Sequence, residues 1–229
     1  MQLISFLLLA ASIQATPQDS VFQLTGVRAP TPPVIDGAPD EESWGIAARA
    51  TDFIQFEPQR GEPSQYRSEV LVMYDSTAVY VAFRLWDSEP LTAQLTRRDA
   101  ELINDDAVYV ILDTHHDRQS AYFFGLNPLG TQEDGRIAND GRTTDNTWDE
   151  VWHSAARRTE WGWTAEIAIP LSSIRYAVGE DRTWGVNLGR VRRRTLVAAH
   201  PSQECLDRPK VQVRRSRTCA GVAQVGEPL

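Results

Sequence analysis

The chain is short of the features that mark metal, redox, nucleotide or membrane-spanning sites. It has two cysteines in 229 residues, Cys205 and Cys219. With no C-x-x-C spacing, neither a zinc ribbon nor a thioredoxin-type redox centre is offered. In an oxidising compartment the two can pair and close a small loop, or stand as free thiols in the least regular stretch of the chain. Lysine occurs once, at Lys210. No apolar run approaches the roughly 20 residues that a membrane-crossing helix needs. The motifs G-x-S-x-G, H-E-x-x-H and the phosphate loop are all missing, so the chain carries no local signature of a serine hydrolase, zinc protease or nucleotide site. No solenoid-type repeat is present.

What is present is ordinary for a globular protein. Apolar residues make up 41% and charged residues 24%, a balance that disfavours wholesale disorder. The length suits one domain with flanking segments. The net charge of −8 is unevenly spread. Residues 1–190 hold 15 Arg against 28 Asp and Glu, whereas residues 191–229 hold 8 Lys and Arg against 3 Asp and Glu. The acidic body argues against a nucleic-acid partner. The basic end suits either an anionic polymer or lipid, or a solvated charge run.

Leu3 to Ala11 has the length of a signal-peptide apolar region, and Ile13-Gln14-Ala15 resembles a small-residue cleavage site, although no Lys or Arg precedes them. Residues 1–15 therefore read as a signal peptide. The mature chain is expected to be soluble and exported: periplasmic, outer-membrane-associated or secreted. A buried amino-terminal strand or helix is the alternative.

Residues 16–33 read as a linker or a lead-in edge strand, ending in Pro30, Pro32 and Pro33. Asp36-Gly37 is a turn, and Pro39 to Glu42 opens a short helix carrying Trp44, with carboxylates where the helix dipole favours them. From Glu69 the period changes to two. Val70–Tyr74 and Val79–Trp86 form a hairpin about Asp75-Ser76-Thr77. Further strands are expected at Asp106–Asp113, Ala121–Leu126, Thr131–Glu133, Val151–Ala156, Trp163–Ile169 and Trp184–Arg190, with a single helical turn after Pro170. Gln132 to Asn146 reads as a long polar loop. Residues 194–229 read as an irregular basic tail. The expected fold is all-β: a two-sheet antiparallel β-sandwich, jelly-roll-like, spanning residues 34–193, with one or two short helices.

The order of several short motifs carries a resemblance. I-D-G-x-x-D-E-x-x-W runs from Ile35 to Trp44, V-x-x-x-Y-D from Val70 to Asp75 and V-Y-V-A-F-R from Val79 to Arg84. They continue with R-R-D (Arg97–Asp99), D-D-A-V-Y-V-I-L-D (Asp105–Asp113) and N-P-x-G (Asn127–Gly130). W-D-E-V-W (Trp148–Trp152), G-W-T-A-E-I-A-I-P (Gly162–Pro170) and W-G-V-N (Trp184–Asn187) complete the set. In this order and spacing they resemble carbohydrate-binding module family nine, in its family-nine-like branch. The resemblance implies a β-sandwich that binds a poly- or oligosaccharide. In that branch the domain often precedes an outer-membrane-barrel-like region. Relatives usually continue after W-G-V-N with a tryptophan and a further strand. Here Thr195 to Ala199 and a basic run stand in that place, as a truncated or frame-altered version of a longer chain would show. The resemblance also places a tryptophan clamp beside the sugar. The matching neighbourhood here is Leu102-Ile103-Asn104, the arginine of the next strand falls within Phe124 to Asn127, and the late clamp tryptophan has no counterpart. A sugar site would therefore use other residues.

Candidate stacking platforms are Trp148, Trp86 and Trp152, because apolar sugar faces stack on flat rings; each also reads as a core or loop-anchoring residue. Arg98 can fork onto sugar hydroxyls or a carboxylated sugar, or pair internally with Asp105 or Asp106. Asn127 offers an amide to a ligand or to its own turn. Structural calcium is considered at Asp113, Asp117 and Asp134, where oxygen ligands are plentiful, although no twelve-residue calcium loop is present. Asp113-Thr-His115-His116-Asp117 reads as a turn, since adjacent histidines on an extended chain point to opposite sides.

The leading expectation is an exported, non-catalytic carbohydrate-binding module serving polysaccharide breakdown or uptake. A structural or interaction domain that packs on an outer-membrane or enzyme partner is the second. A glycoside hydrolase is the third; no carboxylate pair can be singled out from the sequence for that role.

Overall fold

The structure, a computed structural model, describes residues 23–177, 182–193, 197–200 and 221–225. The expected signal peptide and both cysteines lie outside these residues. In chain order the elements are β1 (Gln23–Thr25), β2 (Val27–Arg28), helix α1 (Glu42–Gly45), β3 (Ala48–Ala50), β4 (Ile54–Glu57), β5 (Ser68–Tyr74), β6 (Ala78–Trp86), β7 (Ala107–Asp113) and β8 (Ala121–Leu126). They continue with β9 (Gln132–Ala138), β10 (Thr143–Asp145), β11 (His153–Thr159), β12 (Gly162–Pro170), β13 (Arg182–Arg192), β14 (Val197–His200) and β15 (Gly221–Val225). Single 3-10 turns occupy Leu102–Asn104 and Leu171–Ser173.

Two sheets form. One runs β1-β15-β13-β7-β8-β9-β10, with β14 bridging β13 and β4. The other runs β11-β12-β6-β5-β2, with β3 also on β5. Pairing is antiparallel except for β1 with β15 and β2 with β5. This is the expected β-sandwich. The β5–β6 hairpin turns where Asp75 Oδ1 accepts from the amides of Thr77 (2.6 Å) and Ala78 (2.9 Å), the local bond that suits Asp to turns.

Alternation fills the core. Val108, Val110, Leu112, Phe124, Leu126 and Leu188 face Val70, Val72, Val81, Phe83, Leu85 and Ile167. Yet β5 and β6 are buried on nearly every residue, so something covers their outer face too. That cover is the segment carrying α1. Trp44, with Ala29, Ile35 and Ala47, lies on Leu71, Met73, Tyr80, Ala82 and Ala168. Burying an indole of roughly 200 Å² contributes about 5 kcal/mol before entropy.

One carboxylate fastens this cover. Glu166 of β12 is fully buried. It accepts from the amides of Gly37 (2.7 Å) and Asp36 (3.0 Å) and from the Trp44 indole (2.9 Å). The first and last motifs of the sequence are thus two halves of one clasp. Burial raises the Glu166 pKa above its ordinary value, against the pull of these donors.

Two expectations need correction. The stretch from Gln132 to Asn146 is a hairpin, not a long loop: β9 and β10 pair across a turn at Asn139, Asp140 and Gly141, all with positive φ. The irregular tail expected from residue 194 contains two strands, β14 and β15. The expected strand at Thr131–Glu133 is the start of β9, whose continuation hid because Gln132, Asp134 and Arg136, on one side of it, are polar and give no hydrophobic alternation.

Candidate functional site

Arg98, Trp148 and Trp152 come together at the loops beside β9. Arg98 bonds Gln132, Asp134 (2.9 Å), Asp149 (2.8 Å) and the Glu150 carbonyl (2.8 Å). Its expected partners Asp105 and Asp106 are instead spent on loop amides: Asp105 accepts from Gln94 and Leu95, and Asp106 from Thr92. Trp152 is buried and donates to Asp134 at 3.0 Å. Trp148 is half-buried, with its ring centroid 5.0 Å from Tyr122 and 6.0 Å from Phe124.

The carboxylates of Asp99, Asp134 and Asp149 offer oxygens within 4.8 Å of one another. The Arg98 guanidinium binds Asp134 and Asp149 and lies 3.6 Å from Asp99, so a cation already stands among these carboxylates and offsets one of their three charges. The three acids considered for calcium do not converge. Asp113 sits on the outer face of its sheet and Asp134 on the inner face, given the pairing of Asp113 with Gly185 and of Asp134 with Phe124. Asp113 accepts from the amides of Asp117 and Arg118, and Asp117 from those of Gln119 and Ser120. These residues build the β7–β8 turn and do not fit a shared ion.

Asn127 is fully buried. Its amide donates to the Leu95 carbonyl and to Asp105, both at 2.8 Å, while its oxygen accepts from Leu129 and Thr131. Both ends of this side chain are occupied by the turn.

The neighbourhood of the family clamp is filled from within. Leu102 is fully buried, and its amide donates to Glu133 at 3.1 Å. Tyr109 donates to the same carboxylate at 3.0 Å. A side chain at Gly125 would meet the Tyr109 ring at 2.7 Å, so that ring takes the space an arginine there would need. Burial raises the Glu133 pKa despite the two donors, and burial together with the Glu133 charge raises Tyr109 well above its ordinary value.

Trp86 lies elsewhere, on the outer face of the β12-β6-β5 sheet, since Phe83 and Leu85 point inward. It is half-buried, and its partner was not anticipated from the sequence. Trp161, 39% exposed, stacks on it with centroids 4.9 Å apart and planes 27° from parallel. The Arg67 guanidinium lies 3.9 Å from the Trp86 ring centre. Register puts these groups on opposite flanks of β6: Arg67 accepts the Trp86 amide through its carbonyl on one side, and Gly162 pairs with Trp86 on the other. Gly162 has φ of +147°, and a Cβ there would overlap the Leu85 carbonyl oxygen. Only glycine fits, and the hairpin it permits holds Trp161 through the Asp87 amide to the Trp161 carbonyl (2.9 Å).

Beneath this row lies a buried ion cluster. Asp87 binds Arg190 at 3.3 Å and Arg192 at 2.8 Å, and Arg192 reaches Glu89 at 2.7 Å. Burial opposes the Asp87 charge, but the Arg192 hydrogen bond and the two guanidinium charges hold its pKa below the ordinary value. Burial pushes Arg190 down to about 10. Arg190 also donates to the carbonyls of Arg67 and Trp86, which fixes the backbone under the stack.

Residues 35–189 match the family described as carbohydrate family 9 binding domain-like. Similar solved structures include a family 9 carbohydrate-binding module from Caldicellulosiruptor kristjanssonii in complex with cellotriose, at 16% identity and a TM-score of 0.62, covering 88% of this chain and 92% of that one. A family 9 module from the same organism in complex with glucose has 16% identity and a TM-score of 0.62, covering 90% and 96%. A protein from Bacteroides uniformis ATCC 8492 has 13% identity and a TM-score of 0.69, covering 90% and 99%. At these identities the likeness shows the fold. No curated protein matches the chain.

Proposed function

We propose, from the premise that this chain belongs to the carbohydrate family 9 binding domain-like family, that it is a non-catalytic sugar-binding module whose sugar rests on Trp161. One observation carries this reading. An indole that fills no core position is held against a second indole, by a glycine-dependent hairpin, with 39% of its surface in solvent. A flat, rigid, half-open aromatic surface suits the apolar face of a pyranose. Its rigidity keeps the entropy cost of binding low. The clamp neighbourhood, by contrast, is packed with Leu102, Tyr109 and Glu133. The complexes with cellotriose and with glucose from Caldicellulosiruptor kristjanssonii support a sugar as ligand class. The apolar run at Leu3–Ala11 supports export, and with it a place in polysaccharide breakdown or uptake.

The test is calorimetric titration of the full chain with a panel of soluble oligosaccharides, beside Trp161→Ala. Trp161 contributes little to the core, so the variant should stay folded. Its affinity should fall at least about tenfold, as when a stacking anchor is truncated. No binding across the panel by folded protein, or binding that Trp161→Ala leaves intact, would displace this reading in favour of an interaction domain.

A further inference from the structure

We propose that the row Arg67–Trp86–Trp161 takes a carboxylated oligosaccharide, a chain containing uronate units, with one pyranose on Trp161 and a carboxylate on Arg67. This rests on the sugar-binding reading and adds the ligand's charge.

The arginines around this row differ in whether a carboxylate holds them. Arg49 and Arg84 close on the single buried carboxylate of Glu69, at 2.7 and 3.1 Å. Arg190 and Arg192 are matched in formal charge by Asp87 and Glu89. Arg67 is exposed, and no described carboxylate pairs with it. Its guanidinium spends one face on Trp86, 3.9 Å away. Stacking uses the π face and leaves the in-plane N–H groups free, and those form the fork that matches a carboxylate bidentately. The stack also holds the side chain in place, so less rotamer entropy is lost when an anion arrives. Trp161 is on the other flank of Trp86, so one sugar unit cannot cover both groups. A ligand of two or more units can lie across the row.

The experiment is isothermal titration of the full chain with trigalacturonate and with cellotriose, at low and moderate salt. It is run for the natural sequence, Arg67→Gln, Arg67→Lys and Trp161→Ala, with circular dichroism to establish that each is folded. Trigalacturonate should bind more tightly than cellotriose and weaken as salt rises. Arg67→Gln should weaken trigalacturonate roughly ten- to a hundredfold, as expected for a hydrogen-bonded charge, and weaken cellotriose far less. Arg67→Lys should recover only part of the loss, because an ammonium keeps the charge without the fork. Equal affinity for the two trisaccharides, or a trigalacturonate affinity unmoved by Arg67→Gln, overturns the acidic ligand while Trp161→Ala still tests the module. Failure of the natural sequence to bind any saccharide overturns both.

Discussion

Replacing Glu166 with glutamine should destabilise the protein through one misplaced amide. Glu166 uses one oxygen for the amides of Asp36 and Gly37 and the other for the Trp44 indole. Glutamine has the same shape. If its oxygen keeps the two backbone donors, its NH2 group confronts the Trp44 N–H, and two buried donors face each other. The lost hydrogen bond to a charged acceptor is worth about 1.5–3 kcal/mol, and each unsatisfied buried donor costs about 1–3 kcal/mol. Removing a charge that burial disfavours gives part of this back, since the Glu166 pKa is already raised. A net loss of about 2–4 kcal/mol remains, which corresponds to a fall in Tm of roughly 5–15 °C for a chain of this size.

A double-mutant cycle isolates the cause. Trp44→Phe keeps most of the apolar burial and removes the indole donor. In that background Glu166→Gln should cost about 1–2 kcal/mol less, because no donor opposes the new amide. Near-ultraviolet circular dichroism during thermal melting reports on both. A fall in Tm of less than about 2 °C, or an equal cost in both backgrounds, would show that Glu166 does not fasten the cover in this way.

Stability should peak on the acid side of neutral. Burial raises the pKa of Glu133, Asp134 and Glu166 above ordinary values of 4.5, 3.8 and 4.5. A carboxyl with a raised folded pKa adds stability that is complete below its unfolded value and lost as pH rises through the folded one. Asp75, Asp87 and Asp117 behave oppositely: their hydrogen bonds and ion pairs, opposed by burial, hold them below 3.8. Their contribution is complete above 3.8 and lost as pH falls through the depressed values. Tm measured against pH should therefore climb as pH drops from 7 toward about 4.5 and decline below about 3.8; a steady rise from acid to neutral would contradict this. Calcium at millimolar concentration should move Tm by less than about 1 °C, because the Arg98 guanidinium is already bonded to Asp134 and Asp149 and lies beside Asp99; a rise of several degrees, reversed by chelation, would refute that assignment.

The strands that were legible in the sequence are those with an apolar face to bury. Ala121–Leu126 has the expected bounds, and β5, β6, β7 and β12 differ by a residue or two at their ends. The family resemblance read from ordered motifs agrees with the match over residues 35–189. Strand β9 was read only at its start, Thr131–Glu133, because Gln132 and Asp134 bond Arg98 in place of filling an apolar face. Trp152 and Asn127 could not be sorted from ligand contacts by sequence, since an indole N–H or an amide shows its partner only when Asp134 or Asp105 is folded beside it. Trp161 was hidden for a different reason. Strand parity would set it on the same face as Trp163, which is buried. The backbone at Gly162 breaks that parity and turns Trp161 outward. The E-W-G-W tetrapeptide holds the signal, but reading it requires the φ of one glycine.

The proposed site on Trp161 is separate from the residues that hold the frame. The motifs that define the frame are bound to one another: Asp36, Gly37 and Trp44 to Glu166, and Asn127 to Asp105. A change at any of them costs folding energy directly. Around Leu102 the interior is packed: Leu102 and Tyr109 both donate to Glu133, and the Tyr109 ring lies against Gly125. Trp161 stands under neither constraint. Its stacking on Trp86 makes it rigid, yet the core does not depend on it, so its ring is free to serve a ligand. If the sugar rests on Trp161, the residues that identify the fold are a poor guide to its site. A side chain that is ordered, exposed and dispensable to the core is a better one.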